Sequence, residues 1–171
     1  DKFKTKGVNI ELIENIPSGG GMGGSSADIA GVLNGLKKLY KIDGDVKDVA
    51  DALGSDSGYL LTGGAARLFS RGEVVKKIDS KLSGYVLVIY AKNGGVTSKE
   101  CFSKFDERGD SGMVSNNDEI EKILISGDVA ALRGKTGNAL YSAACDLNPE
   151  IRENLAALND LSPVISGMTG S

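Results

Sequence analysis

The chain has 171 residues, is 40% hydrophobic and carries a formal net charge of −3, so it can bury a core as one ordinary domain or two small ones and does not read as disordered. The acidic balance gives no basic footprint for nucleic acid or an anionic membrane, and no apolar run approaches the roughly 18 residues of a membrane span. Histidine is absent, which removes Ser-His-Asp and Cys-His catalysis and any His-containing metal site from this chain and leaves acid–base work to Asp, Glu, Lys, Tyr or Cys. Cys101 and Cys145 form no metal-like or disulfide-like pattern. With no secretory signal recognisable, the expected setting is a reducing cytoplasm.

Gly7 to Ile13 alternates apolar with polar residues, which predicts a half-buried strand ended by Pro17. From Ser26 the positions Ile29, Val32, Leu33, Leu36 and Tyr40 recur at helical spacing, with Ser25 or Ser26 as the N-cap. A shorter helix is predicted around Val46–Leu53, stopped by the turn Gly54-Ser55-Asp56-Ser57-Gly58. Ala65–Phe69 and Val74–Ile78 read as strands joined through Arg71-Gly72, and Gly84–Tyr90 reads as a central strand. Helices are predicted at Ser98–Phe105, Asp118–Leu124, Val129–Ala144 and Pro149–Leu158, with a final strand from Val164. Gly109–Asn117 reads as a loop, and the charges of 104–122 as a solvated surface. A composition shift near Ser80–Gly84 predicts an α+β pair of lobes, 1–82 and 83–171.

Of the 24 glycines, 13 gather in four places, 19–24, 54–64, 94–95 and 167–170. Such clusters indicate loops where backbones approach closely. The densest is Ile16-Pro17-Ser18-Gly19-Gly20-Gly21-Met22-Gly23-Gly24-Ser25-Ser26-Ala27-Asp28, set directly before an amphipathic helix. Glycines free of a Cβ can aim several N–H groups at one point, and a helix N-terminus adds its dipole, so the segment predicts a phosphate site. It lacks the Gly-Lys-Ser/Thr ending of a Walker A loop and the downstream acidic residue of a Rossmann fingerprint. A flexible glycine loop with no ligand is the bland alternative, and the well-formed helix behind it argues against that.

Pro17, Gly21, Met22, Gly23 and Ser26 resemble the central motif of the GHMP kinases, Pro-x-x-x-Gly-Leu-Gly-Ser-Ser-Ala, with Met in place of Leu. Further stretches resemble the same superfamily in order: Leu53-Gly54-Ser55-Asp56 with Gly63-Gly64-Ala65, then Asn93-Gly94-Gly95-Val96-Thr97-Ser98, then Asn148-Pro149-Glu150-Ile151, then Ser166-Gly167-Met168-Thr169-Gly170-Ser171. The loop and the following Leu33-Asn34 are most similar to the branch that phosphorylates a diphosphocytidyl methylerythritol in non-mevalonate isoprenoid biosynthesis.

The resemblance implies an α+β fold, pairing a lobe like the second domain of ribosomal protein S5 with a ferredoxin-like lobe. It implies ATP as phosphoryl donor, Mg²⁺ as its companion, a small-molecule alcohol as acceptor, and no nucleic-acid or membrane partner. The nucleotide would lie on Pro17, Ser18, Gly19, Gly20, Gly21, Met22, Gly23, Gly24, Ser25, Ser26 and Ala27, and Asp56 would be the base that accepts the hydroxyl proton. From the residues alone, Asp56 reads first as a turn-forming aspartate, and only the family order of motifs favours catalysis; Ser25 and Ser26 are helix caps, and Asp28 is a first-turn dipole partner. Cys101, Cys145, Met113 and Met168 read as packing residues.

Some family features are not seen: the lysine-bearing first strand, the Asp-Gly-Tyr-His segment, and the Pro where Gly58 stands; Glu14 stands near a customary Lys. The chain is therefore expected to be an internal fragment of a longer kinase. Homoserine-kinase-like or sugar-kinase-like specificity, a non-catalytic nucleotide-binding module, and a structural glycine-loop protein stay open, as does the oligomeric state.

Overall fold

The computed structural model describes residues 3, 6–109, 111–112 and 115–171. Its contacts group into two compact units, one formed by Asp1–Asn15 and Gly23–Ile78, the other by Ile16–Met22 and Asp79–Ser171. The glycine segment is thus divided between them at Met22 and Gly23.

In the first unit, helix α1 (Gly24–Leu39) packs beside α2 (Lys47–Leu53) and the single turn α3 (Ser57–Leu60). Their apolar faces meet around Leu33, Val46 and Ala50, with Phe3, Ile29, Val49 and Leu61 packed against them. Burying Leu33 contributes on the order of 2 kcal/mol. Strands β1 (Ala66–Phe69) and β2 (Val74–Lys77) pair antiparallel with Ala66 opposite Lys77 and Phe69 opposite Val74, the hairpin expected from the sequence. Arg67 lies 4.8 Å from the Phe69 ring centroid, a cation–π contact along the strand.

The second unit is helical among its described residues: α4 (Ser98–Arg108), α5 (Asn117–Ser126), a 3₁₀ turn (Val129–Leu132), α6 (Tyr141–Leu147) and α7 (Glu150–Asp160). Its core joins Val96, Cys101, Ala143 and Ala144, with Phe105, Leu140, Ile151 and Met168 against them. This supports the packing role expected of Cys101 and Met168, and Cys145 is buried too; Met113 lies outside the described residues, as does part of the 109–117 segment. Burial pushes the Cys101 thiol up, which disfavours the thiolate and fits an inert core cysteine. Arg108 and Asp146 join α4 to α6 by a 2.6 Å ion pair.

Three predicted strands do not form. Gly7–Ile13, Gly84–Tyr90 and the stretch from Val164 run without strand pairing, the hairpin being the only sheet among the described residues. Alternation or an apolar run marks residues that suit a sheet face, but a strand also needs a neighbour to complete its ladder. Without one, Ile10, Ile13, Tyr85, Val86 and Leu87 are exposed. The predicted helix over Val129–Ala144 is broken because Gly134 takes a left-handed φ of 70°. No helix among the described residues is long and apolar enough to cross a membrane.

Candidate functional site

Three of the four glycine clusters meet within the second unit. Gly95 lies against Gly19, where a Cβ on Gly95 would strike the Gly19 carbonyl, and Gly21 lies against Thr169 and Gly170. Gly19 and Gly21 take left-handed φ values of 70° and 66°, a conformation that costs an L-residue about 1–2 kcal/mol. Gly19 and Gly21 are therefore favoured both by backbone angle and by the neighbour each admits, and Gly95 by space alone. The loop forms part of the wall of a cavity of 430 Å³. Val86–Tyr90, Tyr141, Leu155 and Met168 form much of the remainder, an apolar lining. Burial, followed by the neighbouring Cys145 thiol, pushes the Tyr141 hydroxyl up and keeps it neutral.

The loop's neighbours are themselves held. Glu150 accepts from the backbone N–H groups of Lys92 and Asn93 at 2.9 and 3.3 Å, and Asn148 donates to the Gly94 carbonyl at 2.9 Å. Thr97 caps α4 in a reciprocal box with Glu100: the Thr97 hydroxyl accepts from the Glu100 N–H and donates to its carboxylate at 2.6 Å. These hydrogen bonds from Thr97, side chain first and then backbone, hold the Glu100 carboxyl below its ordinary value. The Ser171 hydroxyl bonds that of Ser98 at 2.6 Å, joining the 166–171 segment to the first turn of α4.

In the first unit α1 begins differently from the sequence expectation. Its N-cap is Gly23, left-handed at φ 67°, with no side-chain cap, so Ser25 and Ser26 lie inside the first turn instead of capping it. Asp28 falls beyond the first turn, which contains no acidic residue. The first-turn N–H groups therefore meet neither a capping oxygen nor a carboxylate of that turn, an arrangement suited to an external anion.

Asp56 is exposed and precedes α3 as its N-cap position. The turn that carries it sits against α1 because Gly54 has no side chain. A Cβ there would stand 2.7 Å from the Ser57 hydroxyl and 3.2 Å from that of Ser26. The Gly54 backbone is extended at φ −170°, so space, and not backbone angle, explains its glycine. The structure thus brings together Ser26, from the loop motif, and the turn bearing Asp56. Ser57, which the sequence reading left unremarked, is fully buried, and its hydroxyl has no hydrogen-bond partner among the described residues. Gly72 approaches from the hairpin, where a Cβ would stand 2.8 Å from the Ser55 carbonyl and 3.6 Å from an Asp56 carboxylate oxygen.

Gly58 also has a local reason. A Cβ at this position would collide with the Asp51 carboxylate, which pairs with Lys47, and Lys47 also donates to the Glu73 carbonyl at 2.7 Å. The sequence departure at Gly58 thus accompanies a charged pair on α2. Among the described residues no group of three His, Cys, Asp or Glu side chains is placed to hold a metal ion.

Residues 1–66 match the family model described as the GHMP kinases N terminal domain. The chain is 35% identical over 156 residues to a 4-diphosphocytidyl-2-C-methyl-D-erythritol kinase of Nocardia farcinica, covering 88% of this chain and 50% of that protein. A relative of the same name from Carboxydothermus hydrogenoformans is 32% identical over 171 residues, covering 98% of this chain and 59% of the relative. A crystal structure of 4-(cytidine 5'-diphospho)-2C-methyl-D-erythritol kinase superposes with a TM-score of 0.68 at 25% identity, over 92% of this chain and 56% of that one. The chain spans about half the length of the curated relatives it matches. With the motifs in order and this α+β fold shared, the chain belongs to the GHMP kinase family.

Proposed function

We propose that the protein carrying this chain transfers the γ-phosphate of ATP to a hydroxyl of 4-diphosphocytidyl-2-C-methyl-D-erythritol. The observation that carries this reading is the run from Gly19 to Gly23, left-handed at three alternate glycines and leading into a helix with no side-chain cap. The names of the relatives supply the acceptor.

In this reading Pro17–Ala27 binds the nucleotide, with Gly19, Gly21 and Gly23 turning backbone N–H groups toward the phosphates. Asp56 accepts the proton of the attacking hydroxyl, and its exposed carboxylate is open to a substrate. Gly54 lets the turn bearing that base settle against Ser26, so base and helix N-terminus keep a fixed spacing, and phosphoryl transfer depends mainly on such positioning. Mg²⁺, when bound, offsets phosphate charge. With no three-residue acidic cluster among the described residues, its ligands would be chiefly phosphate and water, with Ser18, Ser25 and Ser26 the hydroxyls within the motif. A cytoplasmic setting belongs to the proposal and rests on two free, buried thiols.

The test is a thermal melt of the gene product with and without MgATP. A saturable rise in Tm is expected for a loop that binds nucleotide. An unchanged melt, together with no ATP binding by calorimetry, would leave a structural glycine loop.

A further inference from the structure

The side chain of Asn138, which lies just before α6, makes three hydrogen bonds. Its amide donates to the Met168 carbonyl at 3.2 Å and to the Gly170 carbonyl at 2.6 Å. Its amide oxygen accepts from the Leu140 N–H at 2.9 Å. One planar group thus fixes two carbonyls two residues apart in the 166–171 segment while anchored to the start of a packed helix. Between those carbonyls lies Thr169, whose hydroxyl donates to the Gly21 carbonyl at 3.1 Å. Gly170 also packs on Gly21, where a Cβ on either would meet backbone atoms of the other segment.

We propose that Asn138 is a positioning residue of the nucleotide loop: it holds the 166–171 turn, and that turn holds Gly21. The inference rests on the kinase reading for its link to ATP, but the pinning itself follows from the hydrogen bonds. The chemistry is specific to an amide. Only Asn combines two N–H donors, directed at two carbonyls, with an acceptor for the helix N–H at this side-chain length. The 166–171 segment forms no helix or strand, and its ties through Ser166 to Asn159 and Ser171 to Ser98 lie at its two ends, so loss of the Asn138 donors loosens its middle and the loop resting on it.

Asn138→Asp is the decisive variant. It keeps an oxygen for Leu140, so α6 retains its bond, and it replaces the amide nitrogen that carries both donors with a single carboxylate oxygen facing the two carbonyls. Asn138→Ala removes all three bonds. Hydrogen exchange, read on peptides covering 16–22 and 166–171 of the unliganded gene product, is expected to quicken in both variants. The α1–α3 peptides are expected to stay as in wild type. The KM for MgATP is expected to rise about tenfold while kcat at saturating nucleotide stays within about twofold, the scale of losing two modest hydrogen bonds. Wild-type exchange and KM in Asn138→Asp would overturn the proposal. So would faster exchange in 166–171 with no change in 16–22, which would confine Asn138 to its own segment. If wild-type protein binds no MgATP, the kinase reading falls separately, and the exchange data still support or overturn the pinning.

Discussion

Thr169 donates its hydroxyl to the Gly21 carbonyl at 3.1 Å, and a Cβ on Gly21 would collide with the Thr169 carbonyl oxygen. Two segments far apart in sequence are thus in contact at their backbones, which only a glycine at position 21 permits. Gly21→Ala meets both the collision and a left-handed φ of 66° that costs an L-residue about 1–2 kcal/mol. Affinity for MgATP is expected to fall at least about tenfold by isothermal titration. Wild-type affinity in a folded Gly21→Ala protein would separate the loop from the nucleotide.

Asp56→Asn keeps the size of the side chain at an exposed position preceding α3 but removes the proton acceptor. Turnover is expected to drop by about 10²–10⁴, with the MgATP dissociation constant within about twofold of wild type. Unchanged turnover would return Asp56 to the role of a turn residue.

Gly58 lies directly under the Asp51 carboxylate. Gly58→Ala is expected to cost about 1–3 kcal/mol in urea unfolding, the usual scale of overpacking. Asp51→Ala in the same chain removes the obstacle, so the double variant should recover most of that loss, a clear non-additivity. Additive effects would mean that the carboxylate moves aside without cost.

The Thr97–Glu100 capping box predicts an acid sensitivity of definite sign. Hydrogen bonds from Thr97 set the folded-state carboxyl of Glu100 below its unfolded value. Their stabilising contribution is then fully present above the ordinary carboxylate pKa and is lost as pH falls through the lower folded value. Thr97→Ala is expected to cost about 1 kcal/mol at neutral pH, as for other lost N-caps. The loss should shrink at acidic pH, where Glu100 is protonated, as read from urea unfolding at a series of pH values. A pH-independent loss would show that the Glu100 carboxylate adds nothing to the cap.

Helices α1, α2, α4, α5 and α7 and the 66–77 hairpin were legible because their signals are local: periodicity in α1, turn residues at Arg71-Gly72, and Pro149 opening α7; α3 and α6 were not, one read as a turn and the other merged into a longer helix. Gly84–Tyr90 was misread because a strand depends on a partner, which its own apolar residues do not specify. The glycine clusters announced close approaches, and three of them meet, but which glycine meets which is a tertiary fact. Ser25 and Ser26 looked like caps because hydroxyls usually are, whereas Gly23 took the cap position with a left-handed φ. Ser57 and Asn138 carried no sequence signal of their own. Their roles come from where their hydroxyl and amide groups are buried or bonded.

The most direct test is a coupled ADP-release assay on the gene product with MgATP and 4-diphosphocytidyl-2-C-methyl-D-erythritol, with homoserine and a hexose as alternative acceptors. Saturable ADP release that requires the diphosphocytidyl acceptor is the expected result. Release with homoserine or the hexose alone would contradict the acceptor, and no acceptor-dependent release from a protein that binds MgATP would contradict phosphoryl transfer itself.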